Sequence, residues 1–190
     1  MNKGRLEAFS DGVIAVIITI MVLELKAPHG AAIVDLLPVL PTFLTYVLSF
    51  TYVGIYWVNH HHFFHAVKKI SGGLLWANLH LLFWLSLVPF TTAWMGESHL
   101  TTWPVVIYAF NLLACAVGYT IMTIVVLRLE GPDSTVGRAI GRDRKGKVSL
   151  LFYIVSIPIA FFWPVLSCVL FAIVAAIWLV PDRRIENALG

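Results

Sequence analysis

The stretch LEAFSDGVIAVIITIMVLEL, residues Leu6–Leu25, decides how the rest of the chain is read. Twenty residues at 1.5 Å rise make a helix about 30 Å long, the hydrocarbon thickness of a bilayer. The stretch nevertheless holds Glu7, Asp11 and Glu24, with Arg5 just ahead of it. Charged residues in its own first turns, and no A-x-A-like site after it, make it a retained span rather than a cleavable signal peptide. Ionisable groups inside a span are costly, so each is a candidate functional residue.

Similar apolar windows follow at about 36–58, 74–95 and 105–127. The run from Val148 to Val180 is too long for one upright helix, and Pro164 is placed to open a new one. It divides into spans at about 149–162 and 164–180, giving six in a single transmembrane domain over 1–190. Composition agrees: 59% of residues are hydrophobic and 12% charged, with a mean hydropathy of +0.87. A soluble domain is nearer 45–50% apolar and about 25% charged, so a water-soluble enzyme, a disordered chain and a disulfide scaffold are all excluded. Cys115 and Cys168 lie in apolar runs without a paired motif and read as packing residues.

Charge sets the orientation. An even span count puts both termini on one side with the 2–3 and 4–5 connections. Those segments carry Lys3, Arg5, Lys68, Lys69, Arg128, Arg138, Arg142, Arg144, Lys145, Lys147, Arg183 and Arg184, leaving only Lys26 of the 13 Lys and Arg for the other side. The crowded side is cytoplasmic by the positive-inside bias. Trp57, Trp76, Trp94, Trp103 and Trp178 fall near span ends, as interfacial aromatics do. The Gly131–Lys147 segment reads as a polar, basic, mobile loop.

At 100° per residue, Gly12, Val16, Thr19 and Leu23 share a narrow stripe on the first helix, and Asp11 lies roughly 110° from its centre. A mostly apolar stripe with one hydroxyl suits a pore, where polar rings alternate with a constriction that closes by dewetting. It equally suits helix packing, which favours small and hydroxyl residues in membranes.

Residues Arg5–Thr19, RLEAFSDGVIAVIIT, resemble the R-x-x-x-F-S-D signature, extended by A-[IV]-x-x-T, of the endosomal/lysosomal potassium channel family of the transmembrane protein 175 type. Arg5, Phe9, Ser10, Asp11, Ala15 and Thr19 match, and Val16 stands where isoleucine is usual. Trp57 with His60-His61, and Asn78 followed by Pro89-Phe90, extend the likeness. The layout is similar to that of prokaryotic single-repeat members. The resemblance implies a homotetramer whose four first helices line a central pore without a re-entrant filter loop. It places Val16 at the main hydrophobic constriction, Thr19 in a hydroxyl layer associated with potassium preference, and Leu23 in a further apolar ring.

Asp11 and Ser10 turn away from that stripe. With Arg5 and Phe9 they are expected in a structural polar network to the second and third spans, with His60, His61, Asn78 or His80 as partners, because buried charges persist only when paired. Arg5 either pairs with an acid or sits at the cytoplasmic mouth.

Three features imitate other chemistry. Ala116–Thr120, AVGYT, looks like a potassium-filter loop, but it lies inside the fourth span, where its carbonyls serve helical bonds and Gly118 serves packing. His61 and His65 have metal-binding i, i+4 spacing, yet no second cluster or acidic partner completes a site. Asp11-Gly12 opens like a lipid-head-group transferase motif whose further aspartates are missing. Membrane orientation and anionic lipid account for the basic loop without nucleic acid.

The sequence thus reads as an all-α, six-span homotetrameric channel in the cell membrane of a prokaryote. Its partners are potassium ions, membrane lipid and further copies of itself; it needs no cofactor. Glu24 and Asp35 either draw cations to the outer mouth or are simply solvated surface carboxylates. The competing readings are a secondary or proton-coupled transporter, which would need broken helices and repeats around a midplane site, and a non-conducting scaffold.

Overall fold

The computed structural model describes residues 2–140 and 143–179. These form eight α-helices, with no strand among them: α1 Lys3–Leu23, α2 Leu40–Ala66, α3 Gly72–Ser86, α4 Val88–Glu97, α5 Thr102–Glu130, α6 Thr135–Ile140, α7 Arg144–Ala160 and α8 Pro164–Leu179. A 3-10 helix, Ile33–Val39, leads into α2. Four helical segments are long and apolar enough to cross a membrane: Lys3–Leu23, Ile33–Ala66, Gly72–Glu97 and Thr102–Glu130.

Local chemistry sets the ends. The Asn2 side chain accepts the Gly4 N–H to open α1, and Ser71 accepts the Leu74 N–H to open α3. Pro41 and Pro164 occupy first turns, where the missing N–H costs nothing. The sixth span begins at Pro164 as expected, while its expected end at Val180, together with Arg142, Arg183 and Arg184, lies outside the described residues.

Two expectations are corrected and a third gains a detail. The span expected at about 74–95 is one apolar segment, Gly72–Glu97, whose helix breaks at Leu87 between α3 and α4. Pro89 has no N–H for the Leu85 carbonyl and its ring crowds that turn, so the Leu87 N–H bonds back to Trp84 instead. The second helix continues beyond residue 58 to Ala66 through the histidine run, so Trp57 lies well inside it. The Gly131–Lys147 segment contains α6 and the first turn of α7. Val136 of α6 is buried in the core, and Asp143 caps α7 by accepting the Gly146 N–H at 3.0 Å.

α5 is the hub, packing against α3, α4, α7 and α8. One apolar core gathers Ile14, Ile17, Phe64, Leu81 and Met122 from α1, α2, α3 and α5. A second gathers Tyr52, Tyr108, Tyr153 and Phe171 from α2, α5, α7 and α8. α1 touches α2, α3 and α4 and sits at the margin of this bundle. At the far end of α1, Lys26 pairs with Glu97 of α4 at 2.6 Å.

Candidate functional site

α1 has two faces with different fates. Leu6, Ser10, Ile14, Ile17 and Met21 are buried against the bundle. Gly12, Val16, Thr19 and Leu23 all lie on the uncovered side, with Val16 at 54% and Leu23 at 77% exposure. The stripe drawn from periodicity is therefore a physical surface that this chain leaves open.

Thr19 adds a chemical detail. Its hydroxyl donates to the carbonyls of Val16 at 2.9 Å and Ala15 at 3.1 Å. A hydroxyl has one hydrogen and two lone pairs. With the hydrogen directed into the helix, as threonine commonly does, the oxygen turns its lone pairs outward. The exposed face of α1 thus offers an acceptor between two apolar side chains, Val16 below and Leu23 above.

The inner face is clamped by a one-way chain of hydrogen bonds. Ser10 Oγ donates to the Leu6 carbonyl at 2.9 Å. Asn78 Nδ2 donates to Ser10 Oγ at 2.9 Å. His60 Nε2 lies 2.8 Å from Asn78 Oδ1. An amide oxygen only accepts, so Nε2 must carry the His60 hydrogen. His60 of α2, Asn78 of α3 and Ser10 of α1 are almost wholly buried and tie three helices together at one level.

Asp11 joins α2 by another route. Its Oδ1 accepts the Trp57 Nε1 hydrogen at 3.0 Å, and the Trp57 ring stacks on His61. His61 and His80 stand outside the buried chain. His61 is exposed and stacks on Trp57 and His65; His80 is exposed and accepts the Trp84 indole hydrogen at 3.2 Å. Phe9 also leaves the network: it is 51% exposed and lines an open apolar cleft with Gly12, Val16, Ile20, Pro89 and Phe90, between α1 and α4. Arg5 is exposed and, among the described residues, has no ion pair. Lys3 Nζ instead anchors the start of α1 by donating to the His65 carbonyl at 3.0 Å.

Sequence reasoning missed Trp57 as the partner of Asp11. The available signal was helical phase, since Trp57, His60, His61 and Phe64 lie within two successive turns of α2. The imitation filter lies wholly within α5. The Thr120 hydroxyl donates to the Ala116 carbonyl at 2.8 Å, and a β-carbon at Gly118 would stand 3.2 Å from the Leu81 Cα. Gly118 is there to let α5 approach α3. Among the described residues, no group of three or more His, Cys, Asp or Glu side chains is arranged to hold a metal ion.

Comparison with known proteins points the same way as this first helix. The family model described as the endosomal/lysosomal potassium channel TMEM175 matches residues 5–89. A protein of Chryseobacterium sp. (strain P1-3) named as a potassium channel is 54% identical over 189 residues, covering 100% of this chain and 98% of that one. The human endosomal/lysosomal proton channel TMEM175 is 34% identical over 83 residues, 37% of this chain and 16% of its own length. The crystal structure of a lysosomal potassium-selective channel TMEM175 homolog from Chamaesiphon minutus superposes with a TM-score of 0.83 at 28% identity, covering 95% of this chain and 97% of that one. An ion channel's helices, a signature in α1 and a full-length relative converge on one conclusion: this chain belongs to the TMEM175 family of channels.

Proposed function

We propose that the chain is a potassium-preferring cation channel that works as a homotetramer, with four copies of α1 lining a central pore. The supporting observation is the open stripe of Gly12, Val16, Thr19 and Leu23 on a helix whose opposite face is hydrogen-bonded into its own subunit. A single subunit leaves that stripe uncovered, and a ring of four copies would turn it inward. Relatives named as potassium channels support the choice of ion.

In this reading Val16 and Leu23 form apolar rings that set the barrier, and the Thr19 oxygens replace part of the ion's water between them. Selectivity then depends on the field and spacing of those oxygens, held by the hydrogen bonds to Ala15 and Val16. The buried chain from Ser10 to His60, and Asp11 with Trp57, keep α1 in register and touch no ion. The single domain over 1–190 crosses the cell membrane six times, the last two crossings being α7 and α8. Both termini then lie with the basic connections on the cytoplasmic side.

Val16→Asn tests the constriction. A polar ring at this level wets the pore, so single-channel conductance in planar bilayers should rise several-fold above wild type. An unaltered conductance would remove Val16 from the barrier. Stoichiometry in detergent tests the assembly independently, because a monomer or dimer builds no central pore.

A further inference from the structure

Away from α1, a partly open cavity of about 90 Å³ lies between α2, α5, α7 and α8. Its wall is aromatic: Tyr52, Tyr56, Tyr119, Tyr153 and Trp178 all face it. Tyr52 and Tyr153 pair at 6.3 Å between ring centroids, and so do Tyr56 and Tyr119. Asp143, the cap of α7, lines the same space together with Gly146. A β-carbon at Gly146 would overlap the Asp143 carboxylate, so glycine is what lets that carboxylate fold back over the helix start.

The hydrogen bonds of the wall share a direction. The Tyr52 hydroxyl donates to the Phe171 carbonyl at 2.6 Å, and the Tyr119 hydroxyl to the Asn59 carbonyl at 3.2 Å. Thr120 donates to Ala116 at 2.8 Å and Ser149 to Lys145 at 2.9 Å. Asn59 Nδ2 donates to Ile55 at 2.8 Å, and Trp178 Nε1 to Ser149 Oγ at 2.8 Å. Six donors are thereby committed to the protein's own oxygens. Trp178 takes up a lone pair of Ser149, and the Asp143 carboxylate, which also accepts the Gly146 N–H, lines the space beside five aromatic side chains. An aromatic wall with one carboxylate suits a cation. The Trp178 ring also takes the Lys145 ammonium at 5.8 Å from its centroid, outside the cavity lining, which shows that its π-system accepts a cation.

We infer that the cavity bounded by Tyr56, Tyr119, Tyr153 and Asp143 is a binding site for a small alkylated ammonium ion, separate from the ion pathway. One water needs only about 10–15 Å³ of such space, so the cavity holds several waters and has room for an ammonium bearing a few methyl groups. A bare alkali-metal ion would need a shell of oxygens to replace its water. A methylated ammonium is held by ring faces and a single carboxylate.

The test uses tetramethylammonium as the probe, titrated by saturation-transfer NMR against the full chain in detergent. Binding should be saturable, lost in Ala116→Leu, which fills the cavity, and unchanged in Val16→Phe, which plugs the proposed pore. Asp143→Asn keeps an N-cap of equal quality while removing the charge, so it serves as a variant expected to fold; its affinity should fall about tenfold. Three results would overturn the inference: no saturable binding to the wild type, affinity unaffected by Asp143→Asn, or binding abolished by Val16→Phe and retained by Ala116→Leu.

Discussion

α1 and α5 each carry a stretch that looks made for potassium, and they differ in what surrounds it. Both hold a threonine whose hydroxyl is bonded to its own helix, Thr19 to Ala15 or Val16 and Thr120 to Ala116. Around α5 the bundle closes on several sides, and Gly118 is taken up by close contact with α3. α1 is packed on one side only, and Thr19 sits on the open side between Val16 and Leu23. The lesson is that a filter-like sequence acquires its chemistry from where its oxygens face: Thr19 lies on the open side of α1, whereas Thr120 faces a cavity inside the bundle. Helical carbonyls inside a bundle are already occupied, whatever the residues spell.

This contrast is broken most severely by removing what holds α1 in place. Asn78→Ala leaves the His60 donor and the Ser10 oxygen without their partner and opens a small void. At about 1–3 kcal/mol for each buried group left unmade, the loss should reach roughly 3–5 kcal/mol. Fluorescence-detected size-exclusion after heating would show it as a sharply lower melting point and a smaller oligomer peak. Stability equal to wild type would mean that the buried chain is not what positions α1.

Asp11→Ala comes next. A hydrogen bond to a charged group contributes about 1.5–3 kcal/mol, and Asp11 is half-buried. Thermal stability and oligomer yield should fall, while surviving channels keep their potassium-to-sodium preference in bilayer recordings. Normal assembly with lost preference would move Asp11 from the scaffold to the pathway.

Gly118→Val sharpens the comparison from the α5 side. Its added methyls meet the α3 backbone at Leu81, and overpacking of this kind costs about 1–3 kcal/mol. Yield should drop and the reversal potential should not move. A shifted reversal potential would restore the α5 stretch as a filter.

Much of this arrangement was legible in the residues. Hydropathy located the apolar segments, and helical phase separated the open stripe of α1 from Ser10. Helix ends were less visible, because hydropathy reports where lipid ends while the helix continues: α2 runs on through His60–His65 and α5 on through Arg128. The break at Leu87 was written in Pro89, whose missing N–H was not weighed against a continuous third span. Ser10, His60 and Asn78 were identified as network residues, and the structure joins them. His61 is one residue round α2 from His60, and His80 lies two residues, about 200°, round α3 from Asn78. Phase therefore sends both away from the buried chain. Trp57 was hidden by its type, since a tryptophan near a span end reads as an interfacial aromatic before it reads as a donor to Asp11.

The most direct test of the central claim is the reversal potential of Thr19→Val under a potassium/sodium gradient, beside wild type, in liposomes. Valine keeps the shape of threonine and removes only the outward oxygen. The wild type should show a potassium-biased potential, and Thr19→Val should move it toward zero, a loss in permeability ratio on the order of tenfold or about 1.4 kcal/mol. A conducting Thr19→Val channel with the wild-type potential would contradict the account, because α1 would then not carry the selectivity of the pore.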